Sequence, residues 1–227
     1  MGRERLKVKP HPAVLLIFLL AVSLFRIYYI QYGPLDLSPD EAHYWEWSRR
    51  LNLSYYSKGP MIAYLIHLGT LLFGNTVLGV RFMAVIFSVL SSVFLYLLGK
   101  TLYEERVGIS SAILLQIIPL FSAFGVLFTI DSPFIFFWIL SLFLFREAID
   151  GQSRISNLRS NMYWLFVGIS VGFGLLTKYT MVFFYLSAFL FLLLSKERRR
   201  LLLTAAPYMS FIVSLLVFSP VIIWNAD

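Results

Sequence analysis

Long apolar runs separated by short charged segments set the pattern of this chain. The first run extends from Ala13 to Ile30. The longest polar stretch follows, from Gly33 to Lys58. Next comes an apolar segment broken by Gly59, Pro60, Gly69, Gly74 and Gly79 and interrupted by His67 and Thr70. Further runs cover Phe82–Leu98, Val107–Ile130, Pro133–Phe145, Tyr163–Thr177, Tyr179–Leu194 and Leu201–Trp224. A helix needs about 20 apolar residues to cross hydrocarbon. The pattern therefore predicts an all-α, polytopic membrane protein with about seven transmembrane helices, and interfacial helices in its first outer loop, residues 33–79. Pro133–Phe145 and Tyr163–Thr177 are short for a bilayer. The expected reason is that Asp131 and Lys178 beside them line a membrane-embedded cavity. Pro119, Pro207 and Pro220 fall inside spans, where neighbouring helices can satisfy the freed carbonyls.

Composition agrees with this reading. Of 227 residues, 59% are hydrophobic and 14% charged, and mean hydropathy is +0.78. A soluble domain is about 45–50% apolar and about 25% charged. The chain has no cysteine, which removes disulfides and thiolate metal sites. The first run is long, ends in Arg26-Ile27-Tyr28-Tyr29, and lacks a small-residue cleavage site. It reads as a retained span, not a signal peptide.

The net charge of +7 raises the question of nucleic acid, and the positions answer it. With a cytoplasmic N-terminus, the inner segments hold Arg3, Arg5, Lys7, Lys9, Lys100, Arg106, Arg146, Arg154, Arg159, Lys196, Arg198, Arg199 and Arg200. That is 13 of the 19 basic residues. Cytoplasmic loops of membrane proteins carry such an excess. The expectation is a multi-pass protein of the plasma (inner) membrane, with the Gly33–Lys58 loop outside and no nucleic-acid partner.

The charges that orientation leaves unexplained lie at the outer ends of spans. Asp40 and Glu41 follow Ser38-Pro39, a helix start in which both acids favour the first turn. A carboxylate at that surface also suits general-base chemistry. Asp131 lies in the turn Thr129-Ile130-Asp131-Ser132-Pro133, and an acid at bilayer depth is costly enough to suggest function. Lys58 and Lys178 lie where the chain re-enters the membrane. They suit snorkelling to headgroups or holding a lipid phosphate. His43, near Asp40 and Glu41, is a candidate substrate or metal ligand. His11 belongs to the basic tail, and His67 to the interfacial helix. Together these residues suggest an outward cavity for moving a group from a lipid phosphate to a hydroxyl.

The stretch Pro39-Asp40-Glu41-Ala42-His43-Tyr44-Trp45-Glu46-Trp47-Ser48, continued by Tyr55-Tyr56-Ser57-Lys58-Gly59-Pro60 and Gly79-Val80-Arg81, resembles a known family. It looks like the first outer loop of polyprenyl-phosphate-sugar-dependent glycosyltransferases of the GT-C fold, which include protein O-mannosyltransferases and lipid A aminoarabinose transferases. Thr129–Pro133, Gly172–Thr180 and Ser219–Asn225 also resemble that family. The resemblance implies Asp40 as catalytic base supported by Glu41, and Lys58 on the lipid phosphate. Asp131, Lys178, His43 and Arg81 would complete the substrate pocket. It implies a polyprenyl-phosphate-linked sugar donor, a lipid, glycan or protein acceptor, and inversion at the anomeric carbon. Some members place a Glu before that lysine near a divalent metal; here the position is Ser57. Family members run well beyond this length, so the chain is expected to be their shared core: a fragment, a truncated gene product, or half of a split enzyme. Two non-catalytic readings stand beside transfer: a polyprenyl-phosphate binder or flippase-like transporter, and a helper subunit.

Overall fold

The computed structural model describes residues 12–154 and 157–226. The basic residues Arg3, Arg5, Lys7 and Lys9, and His11, lie outside the described residues. The described chain is helical: α1 (Pro12–Tyr32), α2 (Pro39–Ser48), α3 (Met61–Phe73), α4 (Val77–Leu102), α5 (Glu105–Ile117), α6 (Pro119–Ala123), α7 (Asp131–Arg154), α8 (Asn157–Thr177), α9 (Phe183–Leu194) and α10 (Ala206–Ala226). Two 3-10 turns, Tyr179–Val182 and Arg199–Leu203, flank α9.

Among the described residues, five helices are long and apolar enough to cross a membrane: α1, α4, α7, α8 and α10. The other two expected spans take a different form. Val107–Ile130 is not one helix. Pro119 lacks an amide hydrogen and forces Ile118 to extended backbone (φ −58°, ψ 122°), so α5 stops at Ile117 and the short α6 begins at Pro119. Tyr179–Leu194 becomes a 3-10 turn and the 12-residue α9. The two spans expected to be short are full length. α7 continues past Phe145 because Arg146, Glu147 and Asp150 remain helical, with an Arg146–Asp150 ion pair at 2.7 Å. α8 begins at Asn157, ahead of the apolar run. Asp131 and Lys178 therefore do not shorten their helices; they sit at the ends of them. Of the three prolines expected inside spans, Pro220 alone lies within a helix; Pro119 opens α6 and Pro207 falls in the first turn of α10.

Local sequence explains the other boundaries. Ser38 caps α2 through a capping box with Glu41. α3 ends at Gly74, whose φ of +71° suits glycine. Thr76 caps α4 by accepting from the Gly79 amide at 3.1 Å. α7 packs along α8, α8 along α10, and α4 against α3, α5 and α7. One apolar core joins α2, α3, α4 and α7 through Ile62, Ile66, Ala84, Phe128 and Phe137. A second joins α7, α8, α9 and the start of α10 through Phe145, Trp164, Val167 and Phe184. Because the long helices alternate in direction, residues 33–60, 118–131 and 177–182 gather at one end of the bundle.

Candidate active site

Glu41 is the hub of that end. It is fully buried, and so is Arg81 on α4. The Arg81 guanidinium donates to both carboxylate oxygens: Nε to Oε1 and Nη2 to Oε2, each at 2.8 Å. Such a fork-on-fork pair is among the stronger hydrogen-bonded arrangements. Arg81 also donates to the carbonyls of Leu35 (2.9 Å) and Asp36 (2.7 Å). Glu41 accepts from the backbone amides of Ser38 and Phe128, each at 2.9 Å. Burial works to raise the Glu41 pKa. The Arg81 bonds and the two amides outweigh it, and hold the carboxyl below its ordinary value. This one pair fastens three segments: the loop after α1, the start of α4, and the turn before α7.

That geometry departs from one expectation, that Arg81 lines the substrate pocket. Arg81 is 1% exposed and its donors are committed inside the protein, so it does not reach a substrate pocket. Glu41 is likewise closed to substrate. Its place beside Asp40 is that of a support which fixes α2.

Asp40 precedes Glu41 by one residue, or about 100° around the helix, and is exposed. One turn further along lies Tyr44, 4% exposed. Burial first, then the charges of Asp40 and Asp131, push the Tyr44 phenol up to about 12. Sequence reading missed Tyr44; its spacing of four residues from Asp40 was the available signal.

Asp131 opens α7. Its carboxylate accepts from Lys178 Nζ at 2.8 Å, and the two side chains are 31% and 35% exposed. Lys178 occupies the extended break between α8 and the following 3-10 turn (φ −147°, ψ 122°). Its ammonium also lies 5.5 Å from the Phe134 ring centroid. Lys58 is half-buried in the turn that bridges back to Tyr55. The next residue, Gly59, presses on the end of α8: an added Cβ would come within 2.0 Å of the Leu176 carbonyl oxygen. The Lys58 backbone is thus anchored two residues from Lys178. Beside both lies a groove of about 430 Å3, lined by Tyr55, Tyr56, Tyr179, Phe218, Val221 and Asn225.

His43 is exposed, and its ring centroid packs 4.5 Å from that of Trp47. With Glu41 turned inward to Arg81, the set Asp40, Glu41 and His43 does not converge. Among the described residues, no three His, Asp or Glu side chains come together to hold a metal ion. Ser57 supplies only a hydroxyl. The described residues do not form a metal site.

An all-helical membrane bundle, with accessible and half-buried carboxylates and lysines gathered at one end, is the class that fold and site define. The comparisons narrow it. Residues 57–224 match the family described as dolichyl-phosphate-mannose-protein mannosyltransferase, and the chain belongs to that family. It is 28% identical over 169 residues to the lipid A galacturonosyltransferase RgtD of Rhizobium johnstonii, covering 74% of this chain and 34% of the relative. It is 30% identical over 153 residues to the undecaprenyl phosphate-alpha-4-amino-4-deoxy-L-arabinose arabinosyl transferase of Pseudomonas aeruginosa, covering 62% of this chain and 27% of the relative. The crystal structure of ArnT from Cupriavidus metallidurans in the apo state shares its fold, with a TM-score of 0.71 and 17% identity over 94% of this chain and 43% of that one. The GT-C expectation for the fold is met. The chain spans about a third of the length of the curated relatives it matches.

Proposed function

We propose that this chain is the core of a membrane glycosyltransferase that moves a sugar from a polyprenyl-phosphate carrier to an acceptor hydroxyl. The observation that carries the reading is the gathering of Asp40, Lys58 and the bonded pair Asp131–Lys178 at one end of the bundle, in a chain of this family. Asp40 is exposed and ready to take the acceptor proton. The acceptor oxygen then forms a bond to the anomeric carbon. The bond from that carbon to the phosphate oxygen breaks, and its electron pair leaves with the phosphate. Attack opposite the phosphate inverts the configuration. Lys58 and Lys178 offset the charge that builds on the departing phosphate. Asp131 holds Lys178 in place until the phosphate competes for it. The groove lined by Tyr55, Tyr179 and Phe218 suits the first isoprene units of the carrier.

The names of the relatives support a lipid acceptor of the lipid A type. The bias of basic residues supports a cytoplasmic N-terminus in the inner membrane, with the site facing outward. The test is transfer of labelled sugar from undecaprenyl phosphate to lipid A by purified protein and by its Asp40→Asn variant. General-base catalysis contributes about 10²–10⁴-fold, so the variant is expected to lose that much while still binding the carrier. Full activity in the variant would remove Asp40 from the mechanism. Carrier binding without transfer, alike in both proteins, would favour a lipid binder or transporter.

A further inference from the structure

α1 turns one face to the bundle, and its buried residues are Leu15, Leu19, Arg26 and Ile30. Arg26 is the exception among them. It is 2% exposed, and a cation in that place costs far more than another leucine would. Among the described residues, no carboxylate pairs with it. An ionisable residue inside a span marks function by default, and sugar transfer as proposed gives Arg26 no part.

Its hydrogen bonds show what it holds. Nη1 donates to the Ser88 hydroxyl of α4 at 2.7 Å and to the Gln116 side-chain oxygen of α5 at 2.5 Å. Gln116 is itself fixed: its amide nitrogen donates to the Ser88 carbonyl at 2.9 Å and to the Ser92 hydroxyl at 2.6 Å. Nη2 reaches past the Pro119 break to α6, and donates to the carbonyl and the hydroxyl of Ser122 at 3.4 and 3.3 Å. Gly125 follows, so close that an added Cβ would overlap the guanidinium carbon. α6 has no buried residue, so apolar packing does little to hold it. Broken backbone at membrane depth needs donors from the protein around it. Arg26 is the donor at the start of this segment. Ser132 of α7 serves its middle, donating to the carbonyls of Phe124 at 2.7 Å and Leu127 at 3.3 Å. Glu41 accepts the Phe128 amide at its end. The turn that follows carries Asp131.

We infer that Arg26 is a positioning residue. By tying α6 and the Gly125 turn to α1, α4 and α5, it sets where Asp131 stands, and through Asp131 where Lys178 points. An apolar side chain could fill the same space, but it could not hold a helix that buries nothing. Lysine would keep the charge but lose the planar fork that serves Ser88, Gln116 and Ser122 together. The placement of the turn stands on geometry alone; its effect on carrier binding rests on the proposed function.

The absence of cysteine from the chain supplies the test. One reporter is Thr129→Cys, half-buried in the turn before Asp131, and the control is Thr177→Cys, buried at the end of α8. Alkylation of each by a water-soluble maleimide is timed with Arg26 intact and in Arg26→Met and Arg26→Lys. Arg26→Met should speed alkylation at Thr129→Cys about tenfold or more, because that segment then opens locally, and should leave Thr177→Cys unchanged. Arg26→Lys should restore part of the protection. Gly125→Ala, which displaces the guanidinium without removing it, should act like a weaker Arg26→Met, and decides the matter should Arg26→Met fail to fold. No change at Thr129→Cys would overturn the inference. Equal acceleration at both cysteines would also overturn it, by reducing Arg26 to general stability. The second readout is binding of undecaprenyl phosphate. Arg26→Met should weaken it severalfold where Lys178 is present and add little in Lys178→Gln, the non-additivity of coupled residues; additive losses would overturn the link to Lys178. Absence of binding by wild type would instead defeat the proposed function, and the alkylation rates would still decide the role of Arg26.

Discussion

Two carboxylate–cation pairs stand at the same end of this bundle, with the same closest separation of 2.8 Å. Glu41 and Arg81 are sealed from solvent, and backbone groups take up their remaining hydrogen-bonding capacity. Asp131 and Lys178 are each about a third exposed and share a single hydrogen bond. The contrast separates a clamp from a site. A buried pair with every lone pair used resists exchange, because breaking it leaves a charge with neither water nor partner. A half-exposed pair loses little when one member turns to a phosphate. The charges proposed to act on substrate thus stand on a frame held by other charges. Asp40 and Glu41, adjacent in sequence, fall on opposite sides of that division.

The largest expected effect breaks the clamp. Arg81→Ala should destabilise the protein by about 3–5 kcal/mol, the cost of leaving a buried partner uncompensated. Chemical denaturation in detergent measures it. Replacing both members by apolar residues of similar volume should recover most of the loss; no recovery would mean that the pair does more than fasten loops.

A smaller effect is expected where the clamp region meets the site. Gly59→Ala places a methyl group against the Leu176 carbonyl. The Lys58 turn must then lift from α8, at a cost of about 1–3 kcal/mol typical of overpacking. Carrier binding should weaken as Lys58 moves away from Lys178. Unchanged stability and binding would show that the two lysines need not be held together.

Acid gives the smallest effect and sharpens the comparison. The Glu41 carboxyl is held below the ordinary value of 4.5 in the folded protein. Its contribution to stability is therefore complete above about that pH, and is lost as pH falls through the lowered folded value. The melting temperature should decline in that acid range, and decline less in Glu41→Gln. Equal declines would assign the acid sensitivity to other carboxylates.

The fold class was legible because apolar runs of span length have few alternatives in water. Helix ends were less so. Pro119 was visible, yet whether a proline kinks a span or divides it depends on what satisfies the neighbouring carbonyls, and that is tertiary information. The charges after Phe145 looked like a boundary, but ion pairs along one helix face carry α7 onward. At the site, Asp131 and Lys178 stood out as charges beside apolar runs, and the structure joins them across 47 positions. Ser38 and Glu41 showed their capping role locally. The Glu41–Arg81 bond spans 40 positions, and nothing near either residue marks it. Tyr44 was hidden in a run of aromatics, and only its deeper burial distinguishes it from Trp45 and Trp47.

The central claim is that one of these ion pairs is a frame and the other a ligand site. The most direct measurement compares Lys178→Gln with Arg81→Gln in the same protein, reading both the melting curve and undecaprenyl phosphate binding by titration calorimetry. The account predicts that Lys178→Gln leaves stability within about 0.5 kcal/mol of wild type. The same variant should weaken binding roughly tenfold or more, in line with loss of a charge-assisted hydrogen bond of about 1.5–3 kcal/mol. Arg81→Gln is predicted to lower the melt sharply. Intact binding in Lys178→Gln, or a melting loss equal to that of Arg81→Gln, would contradict it.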